Sequence, residues 1–236
     1  MTGPLIANLI CASPNRNHDF DFARLRLAQA LYDADGIRTD ALNDYEDSAA
    51  ILGGDMLVTY TSQVPVTDQA CFALRRYLER GGRWFALHAS NSVLQNQYLP
   101  PLLGTKFLSH PPYQRFRVDV VAPADPLLAG IESFDVDDEL YCVDIVSKDI
   151  EVLLQTRWGG EAFGGKMFEV EDRPLMYRHR VGDGGVLYLA LGHANRPYDK
   201  PFPHSPDQPD KRGPWDMPLY KTLIQRGIAW AAHRMD

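Results

Sequence analysis

The sequence predicts an α/β domain: a parallel β-sheet covered by helices on both faces, followed by a β-rich second half. Three patterns predict it. Short apolar runs alternate with segments of helical period through the first part of the chain, glycines punctuate them, and beyond Arg115 the periodicity changes to that of strands. With 236 residues and 45% hydrophobic content the chain can bury a substantial core, so one domain over 1–236 is expected.

The elements follow in order. Leu5 to Cys11 is an apolar run that reads as the first strand, and the polar turn Ser13 to His18 separates it from a helix bearing Phe20, Ala23, Leu27, Ala30 and Leu31. Gly36 is a stop for that helix. Ile37 to Leu42 and Met56 to Tyr60 read as the second and third strands. Thr67 is placed to cap a helix that runs through Arg80, with Ala70, Leu74, Tyr77 and Leu78 on its core face. Gly81-Gly82 ends it ahead of Trp84 to Leu87, so the fourth strand stops at His88. In the second half Phe116, Val118 and Val120 alternate, Leu140 to Val146 and Val152 to Thr156 are strand-like, and Gly182 to Gly185 marks a hairpin. The last strand, Val186 to Leu191, runs into Gly192-His193. A proline-rich loop from Arg196 to Pro218 then precedes a helix bearing Leu219, Leu223, Ile224, Ile228 and Ala231. A loop of that length is more often functional or mobile than not. There is neither an internal repeat nor a linker that would divide the chain.

Composition excludes several classes. The net charge is −7 and no basic block is present, so a nucleic-acid partner has no electrostatic footprint. No stretch reaches the roughly 18 to 20 apolar residues of a membrane-spanning helix, and Met1 to Ala12 lacks a basic leader segment. A cytoplasmic location is therefore the expectation. Cys11, Cys71 and Cys142 are odd in number, far apart and without a CxxC pair, which fits a reducing compartment and buried small hydrophobes.

In a parallel sheet of this kind ligands sit beyond the carboxyl ends of the strands. Two loops leave that edge, one carrying Asn15 to His18 and one carrying His88 to Ser92. The second has the strand-turn-helix layout of a nucleophile elbow, with His88 in the nucleophile's place. Histidine cannot form an ordinary acyl-enzyme there, but it can act as a base, a hydrogen-bond donor or a metal ligand. Ser90 is the hydroxyl nearby, without the glycines of GxSxG. His18, His110, Gln114, Glu139 and His193 are the other candidates at strand ends. Each also has a structural reading: His18 as a helix cap, Asp137-Asp138-Glu139 as a solvated turn, His193 as packing under the long loop. Several imidazoles with one carboxylate suit proton transfer beside a polarised carbon, or the binding of a divalent metal ion, and spacing does not distinguish the two.

Together the motifs resemble the ThuA-like (trehalose-utilisation) family. The resemblance rests on Asn17-His18-Asp19, Gly81-Gly82 with Leu87-His88-Ala89, Ser109-His110-Pro111 followed by Gln114, and Asp125-Pro126-Leu127 with Gly130. It continues through Asp138-Glu139-Leu140-Tyr141, Pro174 to Tyr177, Gly184-Gly185-Val186 leading into Leu191-Gly192-His193, and Gly227 to Ala231. What it implies is the class I glutamine amidotransferase-like fold, a flavodoxin-like three-layer sandwich with a mostly parallel central sheet. The amidotransferase cysteine is replaced by His88, so release of ammonia from glutamine is not implied. Family members are linked with catabolism of trehalose and related disaccharides alongside dehydrogenases that form 3-keto sugars, which implies a role on a keto sugar. Two departures stand out: Asp125-Pro126 where relatives commonly show His-Pro, and the extended loop Arg196 to Pro218.

Three readings follow. In the first the chain is an enzyme acting on a carbohydrate or keto sugar by isomerisation, elimination or hydrolysis at a carbon next to a carbonyl, with His88, His193 and His18 as acid/base or metal-binding groups and Glu139 as base or orienting carboxylate. His110 and Gln114, with Tyr113, Tyr141 and Ser90, would hold the substrate. In the second it is a non-catalytic carbohydrate-binding or regulatory domain in which Tyr113, Tyr141, Trp158 and Tyr198 stack on sugar rings. In the third it is a hydrolase with Ser90 or Cys11 as nucleophile. A homodimer is the base-rate expectation for its assembly.

Overall fold

The computed structural model describes residues 3–93, 96–196 and 209–235. The first half runs β1 (Leu5–Ala12), α1 (Phe20–Asp33), β2 (Ile37–Leu42), α2 (Ser48–Gly53), β3 (Met56–Thr61), α3 (Asp68–Glu79) and β4 (Arg83–Leu87). Then come α4 (Leu99–Leu103), β5 (Thr105–Ser109), β6 (Gln114–Val120), β7 (Phe134–Asp138) and β8 (Cys142–Ile145). The chain closes with β9 (Ile150–Ala162), β10 (Lys166–Val181), β11 (Gly184–Leu189) and α5 (Pro218–Ala231).

Nine strands share one sheet in the order β2-β1-β3-β4-β11-β10-β9-β6-β7, and β5 pairs with β8 in a separate ribbon. The first five are mutually parallel, whereas β10, β9, β6 and β7 continue the sheet antiparallel. With β11 in fifth place the parallel part has the flavodoxin order, which reverses direction between β1 and β3. Helices α1 and α5 cover one face, and α2 and α3 the other. No described helix is long and apolar enough to cross a membrane.

Local chemistry explains these elements. All six residues of β3 are buried, as a strand covered on both faces requires. Thr67 caps α3 by accepting from Ala70 N at 3.2 Å. Gly227 lets α5 lie directly on the sheet, because a Cβ there would collide with the Phe85 ring.

Four features differ from the sequence reading. Helix α2 is too short to show a period, yet Asp47 starts it by accepting from Ala50 N at 2.9 Å. Strand β7 hides its alternation because an acid, Asp138, occupies its third inward position after Phe134 and Val136. Strand-like Leu140 to Val146 shortens to β8, since Leu140 and Tyr141 fold inward before it. The β9–β10 hairpin is longer than expected because its outer part is exposed and polar, and so lacks an apolar signal.

Candidate functional site

Four side chains converge at the carboxyl edge of the parallel strands, each delivered by a different segment. His88 opens the turn His88–Asn91 that follows β4, with φ +46, a left-handed conformation that costs a non-glycine residue about 1–3 kcal/mol. Its surroundings hold it there. Tyr188 OH donates to His88 O at 2.5 Å, and His88 Nδ1 lies 2.7 Å from Ala190 O. A carbonyl only accepts, so Nδ1 carries the proton and Nε2 presents a lone pair to the cluster. His18 ends the loop after β1. The adjacent Asp19, rather than His18, caps α1 by accepting from Phe22 N at 3.0 Å, and its own N–H bonds Ala194 O at 2.7 Å. The Asp19 carboxylate also meets Arg212 at 3.0 Å and Arg196 at 3.1 Å, which fastens this loop to the base of the long loop. His193 follows β11 through Gly192, whose φ of +128 suits glycine and whose carbonyl accepts from Tyr60 OH and Trp215 Nε1 at 2.9 and 2.8 Å. Glu139 comes from the end of β7, in the antiparallel part.

The donor atoms are close together. His18 Nε2 lies 3.1 Å from His88 Nε2, and Glu139 Oε2 lies 3.0 Å from His193 Nδ1, 3.9 Å from His18 Nε2 and 4.0 Å from His88 Nε2. The three imidazoles are buried, while the Glu139 side chain keeps 13% exposure. Burial first, then the neighbouring His193, brings the His88 pKa down to about 3, and burial with His88 and His193 holds His18 well below the usual range. Both are neutral at pH 7. Burial alone would raise Glu139, but His193, His110 and His18 outweigh it and keep the carboxylate ionised.

The remaining candidates divide. His110 Nδ1 is 3.9 Å from Glu139 Oε2, its ring stacks on Tyr141 at 5.6 Å, and it is partly exposed, which places it at the mouth. Tyr141 is buried, with its ring 4.4 Å from that of His88 and its hydroxyl 3.4 Å from His18 Nε2. It forms the wall of the cluster, and burial raises its pKa well above the ordinary value. Tyr113 is half-buried with its ring 5.6 Å from His193, and its hydroxyl accepts from Gly213 N at 3.2 Å. Gln114 is half-buried opposite Asp138 in the β6–β7 ladder. The Ser90 hydroxyl is buried against β3, 3.0 Å from Thr59 Oγ1 and 3.1 Å from Thr59 O, and so latches the elbow to the sheet. Trp158 packs with Phe168 and Arg173, and Tyr198 lies outside the described residues. Cys11 is buried and burial pushes its thiol up to about 12, which leaves no thiolate for nucleophilic attack.

Asp138 is hidden in what reads as a solvated acidic run. It is fully buried, and its carboxylate accepts from the backbone N–H groups of Gly192, His193 and Glu139 at 2.7, 2.9 and 2.8 Å. Burial raises its pKa to about 7 against the pull of those amides. The signal available in the sequence is the alternation Phe134, Val136, Asp138, which puts it on the inward face.

The four donor atoms of His18, His88, Glu139 and His193 all lie within 4.8 Å of one another, the arrangement a metal ion would use. Ligands about 2.0–2.2 Å from a tetrahedral ion stand roughly 3.3–3.6 Å apart, close to the 3.0 to 4.0 Å of four donor pairs, and the cluster as a whole, within 4.8 Å, would have to contract onto an ion. The nitrogens fit too. His18 Nδ1 and both ring nitrogens of His193 are buried without a partner in hydrogen-bond geometry among the described residues, although His193 Nδ1 approaches Glu139. Imidazoles with one carboxylate suit zinc and neighbouring divalent metals. Size does not mark this site: a cavity of about 380 Å³ between α1 and α5, bordered by Arg26, Trp215, Met217 and Lys221, contains none of its side chains.

The family model for ThuA, described as trehalose utilisation, matches residues 10–204, most of the chain. The chain belongs to the ThuA family. Solved structures agree with the fold. A ThuA-like protein from Bacteroides uniformis ATCC 8492 superposes with TM-score 0.71 at 17% identity, covering 100% of this chain and 95% of that one. Another from Parabacteroides merdae ATCC 43184 gives 0.70 at 15% identity, covering 97% and 90%. A GMP synthase protein from Thermoplasma acidophilum gives 0.52 at 11% identity, covering 98% and 97%, so this ThuA-family chain has the class I glutamine amidotransferase-like fold. No curated protein sequence matches it.

Proposed function

We propose that this ThuA-family protein is an enzyme of disaccharide catabolism that moves a proton next to the carbonyl of a keto sugar, at a divalent metal held by His18, His88 and His193. The observation that carries the reading is the convergence of three buried imidazoles and one ionised carboxylate, from four separate segments, within 4.8 Å. Burying three imidazoles against each other, with His18 Nδ1 and His193 Nε2 left without a hydrogen-bond partner among the described residues, is unfavourable unless something binds there. The family's link with trehalose utilisation supports a carbohydrate substrate.

The residues divide the work. The sealed imidazoles would hold the ion, and His88 is fixed in one tautomer by Ala190 O, so that Nε2 is the nitrogen it would offer. When bound, the metal supplies Lewis-acid polarisation of the sugar carbonyl. Glu139 is the member with an exposed edge, and its low pKa keeps it ready to accept a proton from the carbon beside that carbonyl. His110 and Tyr113 border the opening and bind hydroxyls. Tyr141, packed on His88, excludes water from the inner face.

The test is elemental analysis of purified protein joined to a screen of oxidised disaccharides. We expect stoichiometric divalent metal and turnover of at least one 3-keto disaccharide, abolished by chelation and restored by metal. Protein that takes up no divalent ion and turns over no keto sugar would overturn the reading.

A further inference from the structure

We propose that Asp138 is a positioning residue of the His/Glu centre, aligning Glu139 with His193. This rests on the metal reading above and concerns a residue that touches neither the ion nor the sugar.

The geometry is specific. One carboxylate oxygen takes the N–H of Gly192 at 2.7 Å, and the other takes those of His193 at 2.9 Å and Glu139 at 2.8 Å. Asp138 thus ties together the two peptide segments whose side chains, Glu139 and His193, stand 3.0 Å apart. Those segments belong to β7, at the outer edge of the antiparallel part, and to the end of β11 in the parallel part. Nothing in the ladder itself fixes their register, because β7 and β11 are not neighbours.

The strand end after β11 is already held without Asp138. Tyr60 and Trp215 donate to Gly192 O, and Tyr220 OH donates to Leu191 O at 3.0 Å. What Asp138 adds is angular placement of the next residue, His193, relative to Glu139.

The lack of any other partner gives the second argument. Asp138 is fully buried and, among the described residues, has no ion pair with Lys or Arg, while the partners of Glu139 within 4.0 Å are all imidazoles. The neighbours of Asp138 in hydrogen-bond reach are three backbone amides, so the carboxylate is held by the two segments it joins and, among the described residues, by nothing that is charged. Carboxylates that orient metal ligands from outside the coordination shell typically change metal affinity about 10- to 100-fold when removed.

The experiment measures the zinc dissociation constant, by competition with a chromophoric chelator, for wild type, Asp138→Asn, Asp138→Ser and Tyr220→Phe. Melting temperatures of the metal-free proteins are recorded alongside. Tyr220→Phe removes a bond from the same strand end without touching the Asp138 carboxylate, so it reports what loosening alone does. We expect both Asp138 variants to bind zinc about 10- to 100-fold more weakly, with Tyr220→Phe within about twofold of wild type although its melting temperature also falls. Equal affinity in wild type and the Asp138 variants, or an equal loss in Tyr220→Phe, overturns the proposal while leaving the metal site standing. Failure of both Asp138 variants to fold also overturns it, since Asp138 would then serve the fold and not the centre. Absence of zinc binding in wild type removes the metal reading and this proposal together.

Discussion

The parallel and antiparallel parts of the sheet give the site unlike things. Three imidazoles, His18, His88 and His193, come from loops at the carboxyl ends of β1, β4 and β11, all parallel strands. Both carboxylates, Asp138 and Glu139, come from the end of β7 at the far edge of the antiparallel ladder. The parallel scaffold is buried on both faces and its edge residues are held by several bonds, so it suits ligands that must not move. The antiparallel extension brings charge to that platform from outside.

The sharpest way to break this division is Glu139→Gln. If the imidazoles hold the ion and Glu139 moves the proton, keto-sugar turnover should drop about 10²- to 10⁴-fold while metal content stays near wild type. Parallel loss of metal would show that Glu139 is itself a ligand, and the two parts of the sheet would then share one task.

Stability should divide along the same line. Leu187 in β11 is fully buried in the parallel core, so Leu187→Ala is expected to cost about 2–5 kcal/mol. Val170, 62% exposed on the outer part of β10, should tolerate Val170→Thr within about 0.5 kcal/mol. Urea denaturation of the two variants checks both. A comparable loss at Val170 would mean that the hairpin is covered in solution and that the antiparallel part is no mere extension.

How much of this is legible in the sequence follows the same division. Strands β1, β3 and β4 announce themselves as compact apolar runs, and each ends at a polar turn, so His18 and His88 can be placed at the sheet edge from the pattern alone. Glu139 is recognisable as a candidate but not as a neighbour of His193, since β7 and β11 are separated in the sheet by β10, β9 and β6. Asp138 is invisible for a plainer reason: a charged residue in a polar run signals solvent, and its satisfaction by three backbone amides depends on a tertiary contact with Gly192-His193. For Ser90 the sequence shows proximity to the elbow but not that its hydroxyl turns toward Thr59 O.

Acid should destabilise the metal-free protein, and here the two parts oppose each other. Between about pH 5 and 6 the unfolded chain protonates His18 and His88, whereas the folded state, with both imidazoles depressed, does not. Asp138 acts the other way, since its folded-state pKa of about 7 lets the folded protein hold a proton that the unfolded chain has released. Two protons against one leave a net uptake of about one on unfolding, so stability should fall by about 1.4 kcal/mol per unit as pH drops through this window. Urea midpoints of chelator-treated protein at pH 7, 6 and 5 would show it; a flat or rising profile would mean that the imidazoles are not held neutral. Excess zinc should steepen the fall, because protons then compete with the ion for the same nitrogens.

A modest effect is expected at the contact between hairpin and site. Phe163, 56% exposed at the hairpin tip, donates its N–H to His110 O at 3.0 Å, accepts from Ser109 Oγ through its carbonyl at 3.0 Å, and sets its ring edgewise to His110 at 4.9 Å. On the Phe163 side both hydrogen bonds are made by backbone, so Phe163→Ala keeps them and removes only the ring. The loss should be about 0.5–1.5 kcal/mol, with zinc affinity unchanged and a modest rise in KM for the keto sugar as His110 gains freedom at the mouth. If KM stays fixed while stability falls, the hairpin only braces the strand end. If zinc affinity falls as well, the boundary between a rigid parallel platform and an adjustable antiparallel rim is drawn in the wrong place.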